Sequence, residues 1–213
     1  MKNYHIWMAD IIQSRKKDGA RVMKDFRELV SGIQNDFMGR FLSPPTVTLG
    51  DEFQSIVTSV QSGIEVIFAL EELLIKRDAK FKLRHVLYYG PIDTKINPTI
   101  AYGMLGGGLS EARDLLGRKK SKKIRFHFRL KDARLSDGLG LAFTLYQSIV
   151  DAWRPKDYEI LRQFWIDDDY KKVARRLKKD SSLIWRRKNS LRLHEYQAVK
   201  KLVCLMLKEP LCH

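Results

Sequence analysis

The chain is poor in cysteine and in long apolar runs, and each shortage excludes a class of protein. Two cysteines occur in 213 residues, Cys204 and Cys212, both near the C-terminus. Two thiols so placed do not make the disulfide framework of a small secreted domain, and they read as free thiols of a reducing compartment. No apolar run approaches the ~18 residues that a membrane span needs. The opening MKNYHIWMADIIQSR meets Asp10 before a signal-peptide core can form, so a soluble cytoplasmic protein without membrane insertion is expected. Zinc-type cysteine–histidine spacing and a Ser-His-Asp signature are also missing. His85, His127 and His194 have no second ligand at metal spacing and read as packed or exposed histidines.

Acidic charge is the next shortage. Against 40 Lys+Arg stand 25 Asp+Glu, a net charge of +15, and the obvious partners are polyanions: nucleic acid, nucleotide phosphates or an anionic surface. The surplus is local. Residues 118–134 carry nine basic residues against one acidic, and residues 151–213 carry sixteen against nine; these two regions account for all of it. In the first of them, Ile124, Phe126 and Phe128 alternate with Arg125, His127 and Arg129, which predicts a half-buried strand with a basic outer face. An apolar content of 44% is enough for a real core and excludes a wholly disordered chain.

The apolar pattern predicts a strand over residues 4–12 ending at Asp10. Val22, Phe26, Leu29, Ile33, Phe37 and Phe41 then follow at helical spacing, with Ser43-Pro44-Pro45 as the stop. TVTL and EFQSIV around Gly50-Asp51 predict a hairpin. A second helix runs over Val60, Ile64, Ile67, Leu70 and Leu74. KLRHVLYYG is a third strand run, TIAYG a short one, LSEARDLL a helix and KKIRFHFRL a last strand. This order makes an α+β fold of one sheet covered by helices. Beyond Gly138-Leu139-Gly140 only helical patterns remain. The chain therefore divides into an α/β domain over 1–137, a connecting helix over 138–154 and a helical domain over 155–213.

Asp10 at a strand end and Asp51 at a hairpin tip converge at one sheet edge if the hairpin pairs beside the first strand. Two hard oxygen ligands, with Glu52 as a third and substrate phosphates beside them, suit Mg²⁺, which takes few protein ligands. Gly-Asp is equally an ordinary turn pair, and Asp ends strands by bonding nearby backbone amides. Gly106-Gly107-Gly108 before a helix offers backbone amides to phosphate but lacks the dinucleotide or Walker spacing. Arg84, Lys95 and Arg113 each have a plain reading as surface ion-pair partners.

MADIIQSR, TLGDEFQSIV, LRHVLYYGPI and GGGLSEARDLL, in that order, resemble the SatD family. The N-terminal part in turn resembles the class III nucleotide cyclase and GGDEF superfamily. The resemblance covers most of residues 4–117 and implies a ferredoxin-like palm. By that resemblance Asp10 and Asp51 bind metal with the Ile11 carbonyl as a further ligand, Gly50 and Arg113 face the nucleotide, and Arg113 steadies the transition state. The departures weigh against catalysis. Leu109 stands where the cyclases carry a transition-state asparagine, Val47 where they carry a base-reading lysine, and Leu49 replaces the first glycine of the GGDEF signature. Losing one donor to a developing charge typically costs about 100–1,000-fold in rate.

In the last third, residues 169–177 predict a short helix, Lys178-Lys179-Asp180 a turn, and LIWRRKNSLRL a second helix capped by Ser181-Ser182. Ala174, Leu177 and Ile184 at this spacing predict a helix-turn-helix, which the SatD resemblance also implies. Ser181, Ser182, Arg186, Arg187, Lys188 and Arg192 are then the residues for phosphates and base edges. Three functions compete. The first is a DNA-binding regulator on duplex DNA, whose degenerate cyclase-like domain senses a nucleotide or metal, or forms a homodimer. The second is a magnesium-dependent nucleotidyl cyclase or nucleotidyltransferase using Asp10 and Asp51. The third is a basic adaptor for protein or RNA.

Overall fold

A computed structural model describes residues 2–12, 19–48, 50–118 and 124–208. Leu49, Cys212 and the basic stretch 119–123 lie outside them. Strand β1 (Lys2–Ile12) leads to helix α1 (Gly19–Asp36), the hairpin β2 (Phe41–Val47) and β3 (Glu52–Val57), helix α2 (Val60–Lys76) and β4 (Lys82–Ile92). Then come α3 (Gly107–Arg118), β5 (Phe126–Arg129) and five helices: α4 (Ala133–Val150), α5 (Tyr158–Phe164), α6 (Tyr170–Leu177), α7 (Ser181–Ser190) and α8 (Leu193–Leu207). The sheet order is β2-β3-β1-β4-β5. The first four strands are antiparallel and have the order of a ferredoxin-like βαββαβ unit, to which β5 adds in parallel beside β4. The expected α+β fold is thus present, and β3 does pair beside β1.

Alternation along β1 sorts the core into two layers. Ile6 and Met8, with Ile56, Val86 and Tyr88 of the neighbouring strands, meet Leu109, Ala112 and Leu116 of α3. Trp7, Ala9 and Ile11, with Phe53, Leu83 and Leu87, face α1 and α2. That second layer continues past α2, and Phe143, Tyr146, Leu161, Tyr196 and Val203 of α4, α5 and α8 join the same apolar cluster. Helix α2 is therefore covered on two sides, which explains its nearly continuous apolar sequence. Its start is set by Ser59, whose hydroxyl accepts from the Ser62 amide.

Two acidic residues of α2, Glu65 and Glu71, are buried within this packing. Glu71 is held by a bidentate pair from Arg125, Nη1 to Oε1 at 2.9 Å and Nη2 to Oε2 at 2.8 Å. The same guanidinium donates to the Leu83 carbonyl of β4 and, through Nε, to Asp151 at the end of α4. His85 of β4 lies 3.1 Å from Glu71 through Nε2, while its Nδ1 accepts from the Trp7 indole. That pattern assigns a neutral ring with the proton on Nε2. Phe126 stacks on the other side of the imidazole at a centroid distance of 5.3 Å. Arg125 is 3% exposed, so the expected basic outer face of this strand is wrong at its first residue: the side chain points inward to meet Glu71.

Three further boundaries differ from the sequence reading. Helix α1 ends at Asp36, and Phe41, Pro44 and Pro45 lie within β2 instead of ending a helix. Proline lacks an amide donor and survives in a sheet only at an edge, and β2 is the edge strand, with irregular register at Ser43. TIAYG forms no strand; its Ala101 amide donates to the Thr46 side chain and its carbonyl accepts from Gln54. The connecting helix starts at Ala133, capped by Asp132, so the division expected at residue 137 falls inside α4.

The buried network sets an acid response. Burial by itself raises the Glu71 carboxyl, but the Arg125 charge and the hydrogen bonds from His85 and Arg125 outweigh it and hold its pKa at about 2, below the ordinary 4.5. Burial pushes the His85 imidazole below 6.5 despite the opposing pull of Glu71. In both cases the unfolded chain takes up the proton first, so stability is lost on acidification, first below 6.5 and then from 4.5 toward 2. Urea unfolding from about pH 7 to about pH 3 should show this fall, with a flatter acid limb in Glu71→Gln. Arg125→Ala, which leaves the Glu71 carboxylate uncompensated, should cost about 3–5 kcal/mol near pH 7.

Candidate functional site

The end of the sheet at Asp10 is built by register. Asp10 of β1 stands opposite Glu52 of β3 on one side and Arg84 of β4 on the other. Directly opposed residues share a sheet face, so all three point toward α3. The hairpin tip is drawn in as well: the Ile11 amide donates to the Asp51 carbonyl at 2.9 Å, and the Thr48 amide to the Glu52 carbonyl. Gly50, with φ at +80°, supplies the left-handed residue that this tight reversal requires. Asp10, Ile11, Asp51 and Glu52 thus lie close together along the backbone at this end of the sheet. The Ile11 side chain leaves on the opposite face into the larger core.

The carboxylates are held by arginines. Arg84 Nη1 lies 3.3 and 3.0 Å from the two oxygens of Asp10 and also reaches the Leu116 carbonyl of α3. The side chains of this pair are 7% and 12% exposed. Arg113 of α3 meets Glu52 Oε1 through both Nε and Nη2 at 3.0 Å, and the Thr48 hydroxyl lies at 3.4 Å from the same oxygen. Arg113, half exposed, is thus an ion-pair partner of Glu52. Sequence reading had no signal for the Asp10–Arg84 pairing beyond the strand pattern itself, which does not state register.

As they stand, the Asp10 and Glu52 carboxylates are engaged by guanidinium groups, which a magnesium ion would have to displace. Among the described residues no three carboxylate, histidine or cysteine groups gather in a way that would hold a metal ion. Arg84 Nε is also buried with no hydrogen-bond partner, and the unspent capacity of a donor suits an acceptor, not a cation. Two of the positions that depart from the cyclase pattern are packing positions: Leu109 is buried between α3 and the sheet, and Val47 lies against the larger core. The glycine triplet packs too. A Cβ on Gly108 would lie 2.7 Å from the Gly90 carbonyl carbon and the Pro91 oxygen, so this glycine lets α3 press onto the end of β4. The Leu109 and Ser110 amides at the start of α3 turn back to the Gly106 carbonyl.

At the other end of the chain, α6 and α7 are joined by the three residues Lys178, Lys179 and Asp180. Lys178 adopts the left-handed conformation with φ at 51°, and the Lys179 amide closes on the Ala174 carbonyl at 3.0 Å. Val173, Ala174 and Ile184 are buried between the helices. The cap of α7 is Asp180, whose carboxylate accepts from the Leu183 amide; Ser181 and Ser182 are the first two helical residues and are exposed, which corrects the expected cap. The basic residues on and just beyond α7 divide. Arg187 pairs with Asp157, Lys188 with Asp168 at 2.8 Å, and Arg192 lies 3.5 Å from Glu195. Arg186 is exposed and forms no ion pair among the described residues.

The family model described as the SatD family matches residues 4–203. No curated protein sequence matches the chain. Among solved structures, similar ones include a bacterial light-regulated adenylyl cyclase, at 10% identity over 60% of this chain and 77% of that one, with a TM-score of 0.43. Another is the catalytic core of a rhodopsin-guanylyl cyclase with converted specificity in complex with ATPαS, at 15% identity over 60% of this chain and 78% of that one, with a TM-score of 0.39. At that degree of likeness they bear on neither the chemistry nor the ligands of this chain.

The packing role of the triplet is testable. Gly108→Ala should lower stability by about 1–3 kcal/mol, because backbone and not a flexible side chain blocks the methyl. Gly107→Ala, whose methyl would meet only the Pro91 ring at 3.9 Å, should be neutral or slightly stabilising. Urea midpoints of the two variants separate this role from a phosphate cradle, in which both substitutions would leave stability alike.

Proposed function

The chain belongs to the SatD family, and from that premise we propose that it is a duplex-DNA-binding protein that docks through α6 and α7, with the sheet layer as a non-catalytic module. The observation that carries the reading is the helix pair itself. Two short helices are held by a three-residue turn with a left-handed residue at its first position, small and branched side chains lie between them, and the second helix faces outward. Around it, Lys171, Arg175, Lys178 and Arg186 form no ion pair among the described residues, so their charge is available to phosphate. Trp185, exposed on α7, adds a flat surface for sugar or base.

The geometry narrows the set expected from the sequence. Arg187, Lys188 and Arg192 already answer Asp157, Asp168 and Glu195, and their main task in this reading is to fix the pose of α7. Ser181, Ser182 and Arg186 remain in the DNA-facing role, joined by Lys178. Reading paired half-sites would take a homodimer. Magnesium-dependent nucleotidyl transfer from Asp10 and Asp51 is favoured less, because Arg84 and Arg113 hold the neighbouring carboxylates and Leu109 is buried as apolar packing.

Lys178 separates charge from fold. In Lys178→Gly the left-handed position is relieved of its side chain, so stability should hold or rise. Affinity for a labelled duplex should fall, and the slope of log affinity against log salt should drop by about one unit, with Arg186→Ala doing the same. Fluorescence anisotropy titrations across salt read this directly. Absence of saturable duplex binding at low salt, or variants that bind as tightly as wild type at every salt concentration, would remove the reading.

A further inference from the structure

We infer that Arg84 is a resident counter-ion: the chain supplies its own cation to Asp10, in the place where a two-carboxylate sheet edge would otherwise recruit a divalent metal ion from solution. The inference stands apart from the DNA reading, since it concerns only the β1–β3–β4 end of the sheet.

Register makes the arrangement obligatory. Arg84 is directly opposite Asp10 across the β1–β4 ladder, and its Nη1 spans both carboxylate oxygens at 3.3 and 3.0 Å. The guanidinium lies under α3, where the Leu116 carbonyl also accepts from it, and is almost wholly enclosed. A divalent ion that reached Asp10 would stand beside this buried positive charge. To make room, Arg84 would have to move into the surrounding layer of Met8, Val86, Ala112 and Leu116, where an unpaired guanidinium is strongly disfavoured. Glu52, the next carboxylate in the row, is engaged by Arg113. Asp10 and Glu52 are thus each answered by a guanidinium, which lowers the local negative charge that would attract Mg²⁺.

Removing the resident cation should therefore create the metal site. Arg84→Met keeps an unbranched apolar stem and leaves Asp10 beside Glu52 and Asp51 without the guanidinium. Mn²⁺ is the probe, followed by electron paramagnetic resonance of the free ion and by paramagnetic broadening of backbone amides in NMR spectra of the full chain. In wild type, the amides of residues 10–12 and 50–54 should show no saturable broadening. In folded Arg84→Met they should, with affinity for Mn²⁺ rising at least about tenfold, equivalent to about 1.4 kcal/mol. The gain should vanish when Asp10→Asn is added. Saturable broadening centred on Asp10 in the wild-type chain overturns the inference, and so does a folded Arg84→Met that gains no Mn²⁺ site. The wild-type measurement decides alone if Arg84→Met does not fold.

Discussion

The Arg125–Glu71 pair is the interaction on which the two halves of the molecule depend. Burying an ion pair is costly unless every donor and acceptor is answered, and here the answering groups come from different elements: α2, β4, the approach to β5 and the end of α4. A short parallel strand of four residues has few ladder bonds with which to hold itself to β4. Arg125 fastens it from one end, and the stacked rings of Trp7, His85 and Phe126 run across β1, β4 and β5 beneath it. The network also specifies which charged residue of α2 faces inward, because an apolar cluster alone would accept many rotations of that helix.

Much of the α+β layer was readable because its signals are local. Period-two alternation marked β1 and β4, period-3.6 marked α2, and Gly50-Asp51 marked the hairpin, each within a few residues of the element concerned. What escaped were facts of partnership. Pro44 and Pro45 look like a helix stop until β2 is known to be an edge, and edge position is a property of the sheet. Arg125 looks like a solvent-facing residue until Glu71, 54 positions away, is placed opposite it. At the candidate site the convergence of Asp10 with Asp51 followed from the hairpin, but the identity of the residue facing Asp10 depended on a register that no short pattern encodes. The signal that could have helped was negative: a glutamate inside the apolar run of α2 demands a buried cation from elsewhere in the chain.

Arginine therefore does two jobs in this strongly basic chain. Arg84 and Arg125 are turned inward as structural cations, Arg113 and Arg187 brace neighbouring elements, and others on α6 and α7 face solvent. Guanidinium suits the inward task because its planar fork answers two oxygens at once and it remains charged when enclosed. A lysine at either buried position would present a single point charge with a high cost of desolvation. The net charge read from composition thus overstates how many basic groups are free of a protein partner.

The last helix is anchored to the sheet layer as firmly as to its own neighbours. Tyr196 and Lys200 both bond Glu72 of α2 at 2.7 Å, and the Trp153 indole ties the end of α7 to the segment after α4. Through these bonds the outward helix and its successor are tied back to the sheet layer, like a blade to its handle. Whatever meets that helix must also make room for the sheet behind it.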